Sequence, residues 1–257
     1  MAPTVSNTSM LFLIVFVLIP VSLSYMYALG LGKSITWASL RGVIQLFLIG
    51  YLLTYLFALP TNIGVTFMLI VMITIATFHA SKKGVGIPKV KTMIFLIILG
   101  VEGLILTMWL GFEMISFTSE QIIPMSGMVI GNSMVAIGLA LERMKNEFRE
   151  GKGKINAALA LGAKPQQATK IIVRKIVRAA MIPNVDGLKT VGLVQLPGMM
   201  TGLILGGVAP IDAIRYQIVI SLSIFTCVSI SAMLVTVTLY RYFFNKNMQL
   251  IEMKEEK

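Results

Sequence analysis

Histidine and cysteine, two residue types common in catalytic and metal sites, are nearly absent from this sequence. It contains one histidine, His79, and one cysteine, Cys227. A single histidine excludes His-rich metal sites and argues against a Ser-His-Asp triad. A single cysteine excludes an intramolecular disulfide and a cysteine-based metal framework. The apolar segments also lack a His/Asp/Glu cluster that would support acid-base or metal chemistry, so we predict that the protein is not an enzyme.

Polar groups inside the long apolar runs are few, and the candidates among them are Gln45, Glu102, Asn132 and Gln195. A carboxylate in hydrocarbon is costly unless it is protonated, paired or near water, so Glu102 is a candidate functional residue. A shallower position for Glu102 stays open at this point. We assign Glu102, Asn132 and Gln195 to a candidate transport pathway or gate.

The segment QLPGMMTG, residues 195–202, predicts a kink or a short unwound stretch. Pro197 frees a carbonyl, and Gly198 permits unusual backbone angles. Irregular backbone inside a membrane is tolerated where it is buried in protein or lines a cavity. The segment could therefore form a gate in the pathway or a kink that serves packing alone. Met199 and Met200 offer thioethers suited to soft metals such as Cu(I), although most of the 18 methionines are simply apolar filling. No residue set stands out as a metal site.

The composition is that of a membrane protein. Of 257 residues, 56% are hydrophobic and 13% are charged, against roughly 25% charged in soluble domains. The net charge of +11 could indicate a nucleic-acid binder. Because the basic residues fall between apolar runs, orientation in a bilayer explains them better, and we predict no nucleic-acid partner.

The apolar runs predict an all-α, polytopic fold in a single permease domain, residues 1–257. A span needs about 20 mostly apolar residues. We predict seven, over residues 10–29, 42–59, 62–78, 92–111, 122–141, 188–208 and 213–240. With Lys189 counted at the edge of the fifth loop, the first, third and fifth loops and the C-terminal tail hold 21 of the 22 Lys and Arg residues. This asymmetry predicts an outside N-terminus and a cytoplasmic C-terminus in a multi-pass protein of the cell membrane.

The cytoplasmic connection over residues 142–187 is the only one long enough to fold on its own. Its start, ERMKNEFREGKGK, predicts the exposed end of the fifth helix and then a flexible break. INAALALG predicts two helical turns that end at Gly162, and Pro165 suits the first turn of a second helix. We expect Pro183 to end that helix just before the sixth span.

The second helix is cationic on one side and apolar on the other at helical spacing. Its basic residues are Lys170, Arg174, Lys175 and Arg178, and its apolar residues are Ile172, Val173, Ile176, Val177 and Ala180. We expect it to lie along the inner membrane face. Such a helix either touches anionic lipid or docks a cytoplasmic partner. The glycine bend favours docking, because a helix that lies on lipid needs no second helix folded against it.

Residues 157–183, AALALGAKPQQATKIIVRKIVRAAMIP, resemble the coupling loop of ABC-transporter permeases. That pattern runs Glu-Ala-Ala, three residues, Gly, and a helix that ends in a Leu-Pro-type stop. The matching positions are Ala157, Ala158, Gly162 and Pro183. Asn156 replaces the acid, and the segment from Gly162 to Pro183 is about one turn longer than the pattern.

Three more segments extend the resemblance: GMVIGNSMVAIGLAL, NVDGLKTVGLVQLPGMMTGLILGG and AIRYQIVI. With the hairpin they resemble the FetB-type ABC-transporter permease family, which includes a bacterial iron-export permease and plant aluminium-tolerance relatives. The resemblance implies the membrane subunit of a homodimeric exporter of a metal ion such as iron. It implies a separate ATP-binding subunit that carries ATP-Mg, with no cofactor on this chain. The implied docking residues are Ala157, Ala158, Gly162, Pro165, Lys170, Arg174 and Arg178.

A short motif that mimics a nucleotide site does not change this expectation. GLGKS ends like a phosphate-binding loop, but the glycine required five positions before Gly32 is Tyr27. We therefore expect ATP hydrolysis on a partner. The alternative is an ATP-independent secondary carrier or channel, although carriers often show two similar halves and no repeat is visible in this sequence.

Overall fold

The computed structural model describes Met10 and residues 12–194 and 196–251 of the chain. Its long elements are helices, as the apolar periodicity predicts. We number them α1 to α9: Leu13–Met26, Gly32–Phe57, Thr61–Ser81, Val90–Gly111, Ser119–Glu150, Lys152–Ala160, Pro165–Thr190, Gly198–Leu205 and Pro210–Leu239. Short 3₁₀ turns follow α3 and α9.

Five of the described helices are long and apolar enough to cross a membrane: Gly32–Phe57, Thr61–Gly84, Val90–Gly111, Ser119–Glu150 and Pro210–Phe243. Their outward faces carry large apolar side chains. A bilayer offers no hydrogen-bond partners, and a helix pairs its backbone N–H and C=O groups internally. Apolar outward faces then suit contact with lipid. The membrane class and the helical fold predicted from the sequence are confirmed.

Two of the seven predicted spans are not single long helices. The first, residues 10–29, contains α1, which has 14 residues and is therefore only about 21 Å long. The sixth, residues 188–208, covers the end of α7, a non-helical stretch and the eight-residue α8. Pro197 precedes α8 in extended conformation, so the predicted interruption is present, although the left-handed backbone lies at Gly192 and not at Gly198.

The chain divides into two compact units, Met1–Pro60 and Thr61–Lys257. In the first unit α1 packs on α2. The connection between them is fixed by the buried Ser24 hydroxyl, which accepts a hydrogen bond from the N–H of Leu31 at 3.0 Å.

The second unit is a bundle centred on α5, which packs against α3, α4, α7 and α9. Its core positions recur at helical spacing: Ile122, Met125, Val129, Ile137, Leu141, Met144 and Phe148 are buried. On α4, Trp109 is buried and its indole N–H donates to the Ser223 hydroxyl of α9 at 2.8 Å.

α5 and α9 run in the same direction. The Cys227 thiol donates to the carbonyl of Val129 at 3.4 Å near the middle of both helices. The rings of Phe148, in the last turn of α5, and Phe243, just after α9, have centroids 4.3 Å apart. The chain that joins two parallel helices has to return from one end of the bundle to the other.

Two expectations for the loop over residues 142–187 are wrong. Only Gly151 separates α5 from α6, so no flexible break lies between them. α7 continues through Pro183 to Thr190; because a proline removes only one backbone donor, packing against neighbouring helices can hold such a helix together.

Gly151 is a close contact and not a hinge. A Cβ at this position would lie 2.8 Å from the carbonyl oxygen of Glu147 and 2.8 Å from Cδ1 of Ile172 on α7. The missing side chain lets α7 reach the end of α5.

We predict opposite effects for two glycines that lie two residues apart. Gly151→Ala overpacks the contact with α7 and should lower the free energy of unfolding by about 1–3 kcal/mol. Gly153→Ala adds a methyl group to open space on a helix and should be neutral or raise it by about 0.5–1 kcal/mol. Thermal unfolding of the detergent-solubilised variants measures both, and equal effects would contradict the packing role of Gly151.

Candidate functional site

The bend between α6 and α7 is a defined helix end. The N–H of Gly162 donates to the carbonyl of Leu159, and the N–H of Ala163 donates to that of Ala158, each at 3.0 Å. Gly162 has φ +87°, the left-handed conformation that this capping arrangement requires and that glycine adopts at least cost. The predicted glycine stop is confirmed.

α7 begins directly after the bend. Pro165 is its first residue, and the N–H of Lys164 donates to the side-chain oxygen of Gln167 at 2.9 Å. α6, residues 161–164 and the first turns of α7 form a rigid bend. We call residues 152–171 the elbow.

The apolar side of α7 is covered by protein. α7 packs on α5 and α9, and Ile172, Ile176 and Ala180 are buried. Lys175 Nζ lies 3.5 Å from the Glu147 carboxylate of α5, which holds the base of the helix in place. A helix lying on lipid needs a free apolar face, and this side of α7 packs on protein instead. That α7 lies along the inner membrane face stays a prediction.

The residues predicted to dock a partner divide into two groups. Ala157, Ala158, Gly162 and Pro165 are at the elbow, where Ala158 and Pro165 are half-buried and the other two exposed. Lys170, Arg174 and Arg178 are exposed along α7. Together with the exposed Lys164 at the bend, they form a basic flank along α7.

Exposed apolar side chains at the elbow were not singled out by the sequence pattern. Leu161 is 89% exposed at the tip, and Ile171 is 71% exposed on the first turns of α7. Large apolar groups this exposed in a rigid, ordered element are typical of a contact surface.

The C-terminal segment forms a second wall beside the elbow, which the sequence analysis also missed. Phe244 and Leu250 pair as an antiparallel bridge, and the Asn245 side chain accepts from the N–H groups of Asn247 and Gln249 at 2.9 Å. An open cleft of about 490 Å³ separates this turn from the elbow. Its lining residues are Asn156, Leu159, Ala160, Gly162, Ala163, Asn247, Met248 and Gln249. The run Asn-Lys-Asn, a turn-forming composition, is the signal that could have revealed it.

The predicted pathway residues lie on three different elements. Glu102 is on α4, Asn132 on α5, and Pro197, Gly198, Met199 and Met200 on or before α8. The Asn132 amide donates to the Met128 carbonyl of its own helix at 2.8 Å. Met199 and Met200 are half-buried, and Gln195 lies outside the described residues.

Glu102 is deep inside the bundle. It is 2% exposed, and its position on α4 puts it about 18 Å from the start and about 14 Å from the end of that helix. Glu102 is therefore central along α4, and its depth in a membrane stays a prediction.

Comparison with known proteins gives one consistent relationship. The family model for UPF0014, described as an uncharacterised protein family, matches residues 7–244. The chain is 36% identical over 248 residues to the probable iron export permease protein FetB of Escherichia coli, covering 96% of this chain and 95% of FetB. No solved structure matches it.

Plant relatives match over similar lengths. The UPF0014 membrane protein STAR2 of rice is 34% identical over 230 residues, which cover 90% of this chain and 81% of STAR2. Protein ALUMINUM SENSITIVE 3 of Arabidopsis thaliana is 31% identical over 237 residues, which cover 92% of this chain and 87% of that protein.

The left-handed bend predicts a substitution effect that depends on backbone alone. A side chain at Gly162 meets open space but is strained by the positive φ. Gly162→Val should cost roughly 1–2 kcal/mol and so speed amide exchange at residues 162 and 163 about tenfold. Gly162→Asn, which tolerates this conformation, should show a smaller effect. Equal exchange in Gly162→Val and the natural sequence would contradict a rigid elbow.

Proposed function

The chain belongs to the UPF0014 family of membrane proteins, and from that premise we propose that it is the membrane-spanning permease subunit of an ABC-type exporter. A separate ATP-binding subunit drives it, and two copies of this chain assemble as a homodimer in the cell membrane. ATP-Mg is bound and hydrolysed on the partner, while this chain binds no cofactor.

The covered apolar face of α7 is the observation that carries the proposal. α7 is one helix of 26 residues, about 39 Å long, that leads from the elbow into the bundle. Because α5 and α9 already cover its apolar side, the elbow is not explained as a lipid-binding element. A rigid helix with an exposed tip and a buried shaft suits a lever that a cytoplasmic motor pushes.

The docking surface consists of the elbow tip, the basic flank of α7 and the wall formed by the C-terminal turn. Leu161 and Ile171 supply apolar area at its centre, where interface energy concentrates. Lys170, Arg174 and Arg178 surround it with positive charge, which speeds association with an acidic partner face.

We propose seven crossings with the N-terminus outside and the C-terminus in the cytoplasm. The parallel directions of α5 and α9 support one further crossing between them, to which the second half of α7 and α8 contribute. The elbow and the C-terminal turn then share one side, as the cleft between them requires.

We propose a metal ion such as iron as the cargo. The names of the E. coli and Arabidopsis relatives, a probable iron export permease and an aluminium-sensitivity protein, support a metal cargo. Within the described ranges no three His, Cys, Asp or Glu side chains are grouped to hold a metal, so this part of the proposal depends on the relatives.

Charge reversal on α7 tests the docking surface. The double change Arg174→Glu and Arg178→Glu should leave membrane insertion intact and reduce co-purification of the ATP-binding subunit about tenfold or more, because like charges then face the partner. The double change Lys82→Glu and Lys89→Glu reverses the same number of exposed charges in a different loop and should have no effect.

Unchanged co-purification in the double variant would count against the docking role. Solute movement by the purified chain without any ATP-binding subunit would favour the secondary carrier or channel instead.

Metal-stimulated ATPase activity tests the cargo. In the reconstituted complex we expect iron or aluminium to raise ATP turnover above the basal rate, with copper and zinc as comparison ions, because cargo binding favours the motor-closed state. Stimulation by copper alone would indicate a soft-metal cargo bound by the methionines of α8. If none of the four ions stimulates turnover, the proposal of a metal cargo is contradicted.

A further inference from the structure

A column of buried polar side chains runs through the hydrophobic core of the second unit. Its members are Glu102 on α4, Ser126 and Ser133 on α5, and Cys227 and Ser231 on α9, each at most 2% exposed. Ser126 lies beside the Glu102 carboxyl. The Cys227 thiol lies close enough to interact with both Glu102 and Ser133, and Ser231 follows Cys227 by one helical turn on α9.

Most of these groups lack a hydrogen-bond partner. Neither carboxylate oxygen of Glu102 accepts a hydrogen bond, and Ser126 approaches it without hydrogen-bond geometry. The hydroxyls of Ser133 and Ser231 are also unpartnered. A buried polar group without a partner costs about 1–3 kcal/mol, so several of them at one place point to a bound species that completes their bonds.

The surroundings supply no charge to balance a carboxylate. The helices that pack on α4 are α3, α5 and α9. Among the described residues, the titratable group that faces Glu102 from them is the Cys227 thiol. On α3, His79 is exposed. An unpaired carboxylate at this depth costs several kcal/mol, so the site favours a cation or a proton.

A proton fits this site better than a metal ion. Protein sites for bare cations in membranes take backbone carbonyls from unwound helices, but α4, α5 and α9 are continuous helices at this level. The described residues also offer no second carboxylate at the site. A proton needs one carboxyl oxygen, and a buried water then reaches the neighbouring hydroxyls.

We propose that Glu102 is a proton-binding site in the core of the bundle. The carboxyl is neutral while the bundle is closed, with a buried water between it and the neighbouring hydroxyls completing its hydrogen bonds. When α4, α5 and α9 separate, the proton passes to water and the carboxylate is left charged and hydrated. This inference needs neither the ATP-binding subunit nor a metal cargo.

A hydrophobic carbodiimide tests the protonation state directly. Dicyclohexylcarbodiimide reacts with a protonated carboxyl: the acid O–H adds across one C=N bond, and the adduct rearranges to a stable N-acylurea without a leaving group. The purified full chain is treated at neutral pH and its peptides are analysed by mass spectrometry. We expect Glu102 to be labelled and Glu142, which is exposed and bonded to Lys83 at 2.8 Å, to stay unlabelled.

One comparison makes the result decisive. Glu102→Gln should lose the label at this position and still fold, because the amide replaces the neutral acid in shape. A label that persists on the same peptide of the Glu102→Gln variant would show that the reaction occurs at another residue and would overturn the proposal.

Two further outcomes would also overturn it. Protection of Glu102 by sodium or potassium chloride, but not by choline chloride at equal ionic strength, would identify a metal-cation site. The double variant Glu102→Gln, Leu104→Glu serves as a control, because it carries a carboxyl on the exposed side of α4. If this control is labelled and Glu102 of the natural sequence is not, the Glu102 carboxyl is not protonated.

Discussion

The packing of α7 on α5 and α9 is the contact on which the rest of the second unit depends. It buries Ile172, Ile176 and Ala180, and it exists because Gly151 has no side chain to keep Ile172 away. Fully burying each isoleucine contributes about 1.5–3 kcal/mol, far more than the single surface ion pair to Glu147. Apolar packing therefore fixes the direction of α7, and the direction of α7 fixes where the elbow projects.

The sequence predicted this arrangement in part. The alternation of basic and apolar residues in α7, the stop at Gly162 and the start at Pro165 follow from local rules that a few neighbouring residues satisfy. The sequence does not show what covers the apolar side of α7, because lipid and the apolar face of another helix are equally hydrophobic. Only the tertiary structure shows that α5 and α9 cover it. The same ambiguity explains why Pro183 looked like a helix end: only packing decides whether a proline interrupts a helix or is carried within it.

The sixth predicted span shows a second limit. Hydropathy over residues 188–208 is that of a membrane segment, yet the structure breaks it between Thr190 and Gly198. Hydropathy indicates whether a segment is apolar enough to lie in lipid. Whether that segment is one continuous helix depends on local backbone conformation, such as the positive φ of Gly192. The buried polar column was equally hidden, because serines and one cysteine scattered over two helices form no motif until α5 and α9 are known to be parallel.

The two functional elements meet on one helix. α5 contacts α7 through Glu147 and Gly151 near its C-terminal end, and carries Ser126 and Ser133 in its N-terminal half. From Glu147 to Ser126 is about 32 Å along the helix axis, with no proline between them. A helix without a break transmits a tilt over such a distance because its backbone bonds resist bending. On the proposed function, a push at the elbow would therefore shift the walls of the Glu102 site in the same movement, while the non-helical stretch before α8 absorbs the change in length.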